Sequence, residues 1–133
     1  MPGIEQCLVD AMALPGARGA AVVDWTSGLT LGTVGGSPNS DHDTAAAETA
    51  ELARMAAEQT TFIPEPADAD SPDAAIPVED IIVTTRTGYH ILRFVETPFD
   101  SSVFIHLWLD RHEGNLALAR IRLRALAENL VLA

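Results

Sequence analysis

The hydrophobic pattern at the start of the chain predicts a helix followed by a β-hairpin. One helix face is formed by residues spaced i, i+3, i+4, i+7 and i+8, namely Ile4, Cys7, Leu8, Ala11 and Met12. The sequence Leu-Pro-Gly at 14–16 ends this helix, because proline cannot continue it. Two short runs follow: 19–25 is rich in valine and alanine, and 29–34 alternates polar and apolar residues. Joined by Thr-Ser-Gly, they predict two strands and a tight turn.

Four glycines between residues 24 and 37 raise the question of a phosphate-binding loop. A P-loop needs a lysine after its second glycine, and this chain contains no lysine. A dinucleotide-binding fingerprint places its glycines between a strand and a helix, whereas this segment alternates like a strand itself. We therefore expect Gly28 to form the hairpin turn, Gly32 to mark a bulge or close contact, and Gly35-Gly36 to let the chain leave the sheet.

A second helix is predicted to begin near Asp41, Asp43 or Thr44 and to run through Gln59. Aspartate and threonine accept hydrogen bonds from the free N–H groups of a helix start. Seven alanines in this segment favour the helix and let another backbone approach it closely. The next segment, 63–77, carries four prolines, four acidic residues and no basic one. The prolines and the mutually repelling acids predict a solvated loop or a partly disordered connection. The alternative is a linker between two domains, which is disfavoured because neither side alone has enough core.

The second half of the chain predicts three strands and a last helix. The strands are 78–86, 89–96 and 102–109, and the short turns between them favour an antiparallel meander. The third of these is apolar on both sides, so both faces of the sheet should be covered. The last helix shows an apolar stripe formed by Leu116, Ala119, Leu123, Leu126 and Leu130. The predicted order is α-β-β-α-β-β-β-α within one domain spanning 1–133.

Composition excludes several classes of partner. The formal net charge is −11, and the eight basic residues are all arginines. Residues 1–80 hold 14 acids against two arginines, a net charge of −12, while 81–133 hold five acids against six arginines, a net charge of +1. Such a field repels nucleic acid and anionic membranes.

No run is long enough for membrane insertion and no secretory signal is recognisable, so we expect a cytoplasmic protein. Cys7 has no second cysteine for a disulfide or a zinc site and fits the helix core.

Candidate catalytic and metal-binding residues are few. The sequence Asp-His-Asp at 41–43 offers ligand atoms, but adjacent side chains at a helix start point in different directions, so helix capping is favoured. His90 and His106 lie within strands and are interpreted as partly buried packing residues. Ser27 and Ser37 have no recognisable base to activate them. We assign no catalytic residue, no metal site and no cofactor.

The order of elements, together with two segments, resembles the roadblock / dynein light chain family, and its short actinobacterial members in particular. The segments are PGARGAAVVDWTSGLTLG, after the first helix, and LDRHEGNLALARIRLRALAE, leading into the last. The resemblance covers nearly the whole chain and implies a profilin-like α+β sandwich, with a five-stranded antiparallel sheet, one helix on one face and two on the other. The loop at 63–77 is longer than is usual in the family.

The resemblance also implies a homodimer, in which strand three of each subunit pairs across a two-fold axis and the second helices lie side by side. Carried over to this chain, the dimer interface would use eight residues: Ala46, Ala50, Ala53, Ala57, Ile81, Ile82, Val83 and Thr84. The β-branched strand is a natural open edge in its own right. The alternative for the alanines is that they only pack on the sheet of their own subunit.

Roadblock proteins usually act as scaffolds or regulators of small Ras-like GTPases, so the resemblance implies a non-enzymatic regulatory module with a GTPase or signalling partner. It leaves open whether such a module activates, exchanges nucleotide on or only holds a GTPase. An arginine acting on phosphate is conceivable at Arg54, Arg86 or Arg111, but surface and ion-pair roles are commoner. The alternative function is a small-ligand sensor or a structural subunit of a larger complex.

Overall fold

The computed structural model describes residues 3–63, 76–96 and 102–130, and its elements follow the predicted order. They are α1 (Ile4–Met12), β1 (Ala17–Asp24), β2 (Leu29–Gly35), α2 (His42–Glu58), β3 (Asp80–Thr84), β4 (Gly88–Val95), β5 (Val103–Asp110) and α3 (Leu116–Asn129). A short 3-10 helix, Thr60–Phe62, follows α2. Most of the predicted loop 63–77 lies outside the described residues.

The five strands form one antiparallel sheet in the order β2-β1-β5-β4-β3. The meander predicted for the last three strands is confirmed. The first hairpin joins it through β1 and β5, where Val22 lies opposite Ile105 and Ala20 opposite Leu107. Within the described residues, β2 and β3 are therefore the two edges of the sheet.

Each face of the sheet carries its own apolar layer. The helices α1 and α3 cover one face, where Leu8 and Leu123 are buried against strand residues such as Ile105 and Leu107. Among the described residues, α2 and Ile76 cover the other face, against Val23, Phe104 and neighbouring strand residues. The alternation along β5 explains this division, because residues 103, 105, 107 and 109 face the helix pair and residues 104, 106 and 108 face α2. None of the helices among the described residues is long and apolar enough to cross a bilayer.

The first hairpin uses its glycines as the sequence predicts. Gly28 has φ +75°, a conformation that glycine adopts without a Cβ penalty. Asp24 fixes the same turn, since its Oδ1 accepts hydrogen bonds from the backbone and hydroxyl of Thr26 at 2.9 and 2.6 Å. At Gly32 the strand register shifts, and a Cβ there would lie 2.8 Å from Cγ2 of Ile4. The predicted bulge and close contact both occur at this point.

The strand β3 is shorter than the predicted 78–86. Val78 packs as a half-buried residue beside α2 before the strand begins. At the other end, the Thr85 hydroxyl accepts hydrogen bonds from the backbone N–H groups of Thr87 and Gly88. These bonds turn the chain immediately after Thr84, because a threonine hydroxyl competes with strand pairing.

Candidate interaction surface

The helix α2 has two apolar faces of different character. Ala46, Ala50 and Ala53 are buried beneath the helix, against the sheet of the same chain. Their small side chains allow a close approach of helix and sheet. Leu52 and Met55 point away from this layer and remain exposed, Met55 by 58%. A methionine so exposed in the last turn of a helix is a candidate for contact with another chain.

An apolar groove lies between the exposed face of α2 and strand β3. Its volume is about 490 Å³, and it is lined by Leu52, Met55, Ala56, Gln59, Phe62, Val78, Asp80 and Ile81. Phe62 is itself half exposed, at 52%, on the short helix that follows α2. We call this feature the α2–β3 groove. It combines flexible and aromatic side chains, which suit a protein contact.

The strand edge beside the groove is open and flanked by charges of both signs. β3 pairs only with β4 among the described strands, so alternate backbone groups of β3 face outward. Arg120 donates to both carboxylate oxygens of Asp80, at 2.9 and 3.3 Å. Arg93 lies 3.8 Å from Glu79 and 4.0 Å from Asp80. This edge therefore presents acids and bases together rather than a single sign of charge.

The structure shows where each residue of the predicted dimer interface lies. Three of the four alanines, at 46, 50 and 53, are covered by the chain's own sheet, as the alternative interpretation has it, and Ala57 packs partly buried against the same layer. Ile81 and Ile82 are half buried on opposite faces of β3, and Val83 and Thr84 are exposed. The interface stays a prediction.

Leu52, Met55 and Phe62 are not among the residues predicted from the sequence. A signal was present for the first two: they are large apolar residues on a helix whose buried side chains are all alanine, and they fall between the alanines rather than in line with them. Two apolar faces on one helix indicate two contacts. Phe62 gave no comparable signal, because it lies in an irregular segment.

Two histidines on the α2 side of the sheet are hydrogen-bonded to each other. Nδ1 of His90 lies 2.9 Å from Nε2 of His106, so one ring donates to the other. His106 is 6% exposed, and burial, with smaller contributions from His90 and His42, lowers its pKa to about 4. Burial also lowers the pKa of His90. The adjoining cavity of about 10 Å³ has room for a water molecule at most.

The other candidate residues have structural roles in the described part of the chain. The Asp41 carboxylate caps α2 by accepting from the backbone N–H groups of Asp43 and Thr44 at 3.0 and 3.3 Å. Burial, followed by the nearby Asp10 charge, raises the pKa of the Cys7 thiol to about 11, which keeps it protonated. Arg54 donates to Glu51 and to the backbone oxygen of Trp25, both at 3.0 Å. Among the described residues, no group of three or more histidine, cysteine or acidic side chains is placed to hold a metal ion.

Comparison with known proteins identifies the fold. No protein-family model and no curated protein matches the chain. Among solved structures, Myxococcus xanthus MglB is 18% identical, with a TM-score of 0.67 over 92% of this chain and 77% of that one. The Roadblock/LC7 domain from Streptomyces avermitilis is 15% identical, with a TM-score of 0.68 over 96% of this chain and 93% of that one. The chain therefore has the roadblock/LC7 fold, which confirms the fold that the resemblance implied.

Proposed function

We propose that this protein, with its roadblock/LC7 fold, is a non-enzymatic regulatory or scaffold module that works as a homodimer. The observation that carries the proposal is the α2–β3 groove beside an open strand edge. Burial of exposed apolar side chains drives most protein association. In this chain the groove and the strand edge adjoin, so one partner surface would cover both.

The chemistry of this surface fits a second copy of the same chain. A two-fold interface places the same surface on both sides, so an acid of one chain can meet an arginine of the other, and the reverse. The edge around β3 carries Asp80 and Glu79 together with Arg93 and Arg120. Acids and arginines of two copies can therefore pair across the interface. Antiparallel pairing of two β3 strands would also satisfy the outward backbone groups.

In a dimer of this kind, the buried alanines of α2 do not contact the partner, unlike in the interface that the resemblance implied. In our proposal Ala46, Ala50 and Ala53 hold the helix against its own sheet, and Leu52 and Met55 make the contact with the partner. Ala57, Ile81, Ile82, Val83 and Thr84 remain part of the proposed interface. Leu52, Met55 and Phe62 are added to it.

We further propose that the dimer binds a small Ras-like GTPase or a related signalling partner. The roadblock/LC7 fold and the resemblance noted in the sequence support this class of partner. The experiment is affinity purification of the tagged protein from the organism that encodes it, followed by mass spectrometry. Recovery of a Ras-like GTPase is the expected result.

A matched pair of variants makes this experiment specific. Met55→Glu places a charge in the proposed dimer interface, whereas Ile121→Glu places the same charge on an apolar position of α3 that is also more than half exposed. If the GTPase binds the dimer, it should be lost with the first variant and kept with the second. Recovery of no GTPase with either variant or with the wild type counts against this class of partner.

A further inference from the structure

Three exposed arginines lie at one end of the sheet. β1 and β4 begin at this end and β5 finishes there, since Ala17 lies opposite Leu109 and Gly88 opposite Asp110. Arg18 follows the first residue of β1, Arg86 lies in the β3–β4 turn, and Arg111 follows β5. We call Arg18, Arg86 and Arg111 together the arginine end.

These arginines differ from most others in the chain by lacking a carboxylate partner. Four of the eight arginines form ion pairs: Arg54, Arg93, Arg120 and Arg124. Within residues 3–63, 76–96 and 102–130, no ion pair involves the arginine end, although the whole chain carries 19 acidic residues. Unpaired cations on so acidic a protein are available to an external anion.

One acid at this end of the sheet, Asp110, accepts hydrogen bonds from the backbone. Oδ2 of Asp110 accepts hydrogen bonds from the backbone N–H groups of His112 and Glu113, both at 2.9 Å. The Glu113 and His112 bonds hold the pKa of Asp110 below its usual value, with a smaller contribution from Arg18. Asp110 therefore fixes the turn and forms no direct ion pair with the arginine end, while its charge still interacts with Arg18 at longer range.

Two of the three guanidinium groups stack on aromatic rings. Cζ of Arg18 lies 4.4 Å from the ring centre of Trp108, and Cζ of Arg111 lies 5.3 Å from that of Tyr89. Arg111 also donates from Nη1 to the backbone oxygen of Thr85 at 2.7 Å. Stacking occupies the flat face of a guanidinium and leaves N–H donors in its plane, where a carboxylate binds in bidentate fashion.

Backbone hydrogen bonds join the connections that carry the arginines. The Asp110 N–H donates to Gly16 at 2.8 Å, and the Arg111 N–H donates to Thr87 at 3.0 Å. Gly16 has φ +76°, and a Cβ on it would lie 2.5 Å from the backbone nitrogen of Gly114. Because these connections are fixed in advance, an incoming ligand pays less to order them.

We propose that the arginine end docks a short acidic segment of a partner protein, through carboxylates bound to Arg18, Arg86 and Arg111. Charge complementarity selects an anion, and the net charge of −11 on the whole chain disfavours a long polyanion such as nucleic acid. Trp108 lies on the α2 side of the sheet and Tyr89 on the side of α1 and α3, so a segment with several carboxylates would cross this end of the sheet from Arg18 to Arg111. This site does not depend on the proposed dimer, because a single chain supplies all three arginines.

The test uses a fluorescein-labelled peptide with a run of glutamates, and fluorescence anisotropy at low salt. The same peptide with glutamines is the reference. The glutamate peptide should bind the wild type. A fourfold rise in NaCl to about 200 mM should weaken this binding, because salt screens exposed charges. Arg18→Gln and Arg86→Gln should each weaken binding by about tenfold, as expected for the loss of a charge-assisted hydrogen bond.

The matched control is Arg122→Gln, which removes the same charge from an exposed site on α3 that forms no ion pair among the described residues. It should leave the affinity within about twofold, as is usual for a distant charge. Three results would each overturn the proposal: no binding to the wild type, equal binding of the glutamine peptide, or an equal loss with Arg122→Gln. Tighter binding of an oligothymidylate of equal charge would also overturn it, in favour of nucleic acid.

Discussion

At the scale of single residues, the buried His106 is the most consequential side chain outside the proposed contacts. It lies within β5 on the face that α2 covers, and its ring meets His90 at 2.9 Å. A charged imidazole at this position would lose its hydration without gaining a carboxylate partner from the described residues. The native structure therefore favours the neutral form of His106.

This preference predicts a loss of stability in mild acid. The pKa of His106 is about 4 in the folded protein, whereas an unfolded histidine has a pKa of about 6.5. Between these values the unfolded state binds more protons, so the free energy of unfolding falls as the pH falls from about 6.5 to about 4, by roughly 3 kcal/mol from this group. Urea unfolding across this range measures the effect.

His112→Gln is the control for this titration, because His112 is exposed in the turn after β5. His106→Gln should reduce the loss of stability in acid more than His112→Gln does, and His90, whose pKa burial also lowers, accounts for part of the remainder. A pKa near 6.5 for His106, measured by NMR in the folded protein, would refute the explanation.

Residue by residue, the sequence predicted what depends on local geometry. Gly28 was assigned to the hairpin turn because a tight turn needs positive φ, and Asp41 was among the predicted helix caps; both assignments are confirmed. The hydrogen bond between His90 and His106 was not predicted. It depends on the register of β4 against β5, which places Leu92 opposite His106 and His90 opposite Trp108, and which no local pattern specifies.

At the scale of elements, α2 connects the core to the proposed interface. Its alanine face is close to the sheet, and its opposite face carries the exposed Leu52 and Met55. The sequence predicted the helix from its capping residues and from the helix propensity of its alanines. It did not reveal which neighbour the alanines contact, since a small side chain suits a sheet and a partner helix equally well.

Substitution of Ala50 distinguishes these two roles. Ala50 is 1% exposed against the sheet of its own chain. Ala50→Leu should therefore lower the free energy of unfolding by about 1–3 kcal/mol, the usual cost of overpacking a filled core. Thermal or urea unfolding at a fixed protein concentration measures the change.

Ala47→Leu serves as the control, because Ala47 is exposed on the same helix. It should change stability by no more than about 0.5 kcal/mol. If Ala50→Leu left the free energy of unfolding unchanged but abolished self-association, the alanine face would belong to the interface instead.

At the scale of the whole molecule, the surface has one region of mixed charge, around β3, and one of positive charge, at the arginine end. The described acids and arginines around β3 occur together, which favours contact between identical chains. The arginine end instead presents cations without partners among the described residues. Such a division was visible in the sequence only as an excess of acids in residues 1–80, because the folded positions of the arginines depend on strand order.

The central claim is that the α2–β3 groove closes against a second copy of the chain. Size-exclusion chromatography with multi-angle light scattering measures this directly. The wild type and Ile121→Glu should both have a molar mass of about 28 kDa, twice the 14.1 kDa of one chain, while Met55→Glu should fall to 14.1 kDa with its fold intact by circular dichroism. A wild-type protein that stays at 14.1 kDa at high concentration, or a Met55→Glu variant that remains a dimer, would contradict the claim.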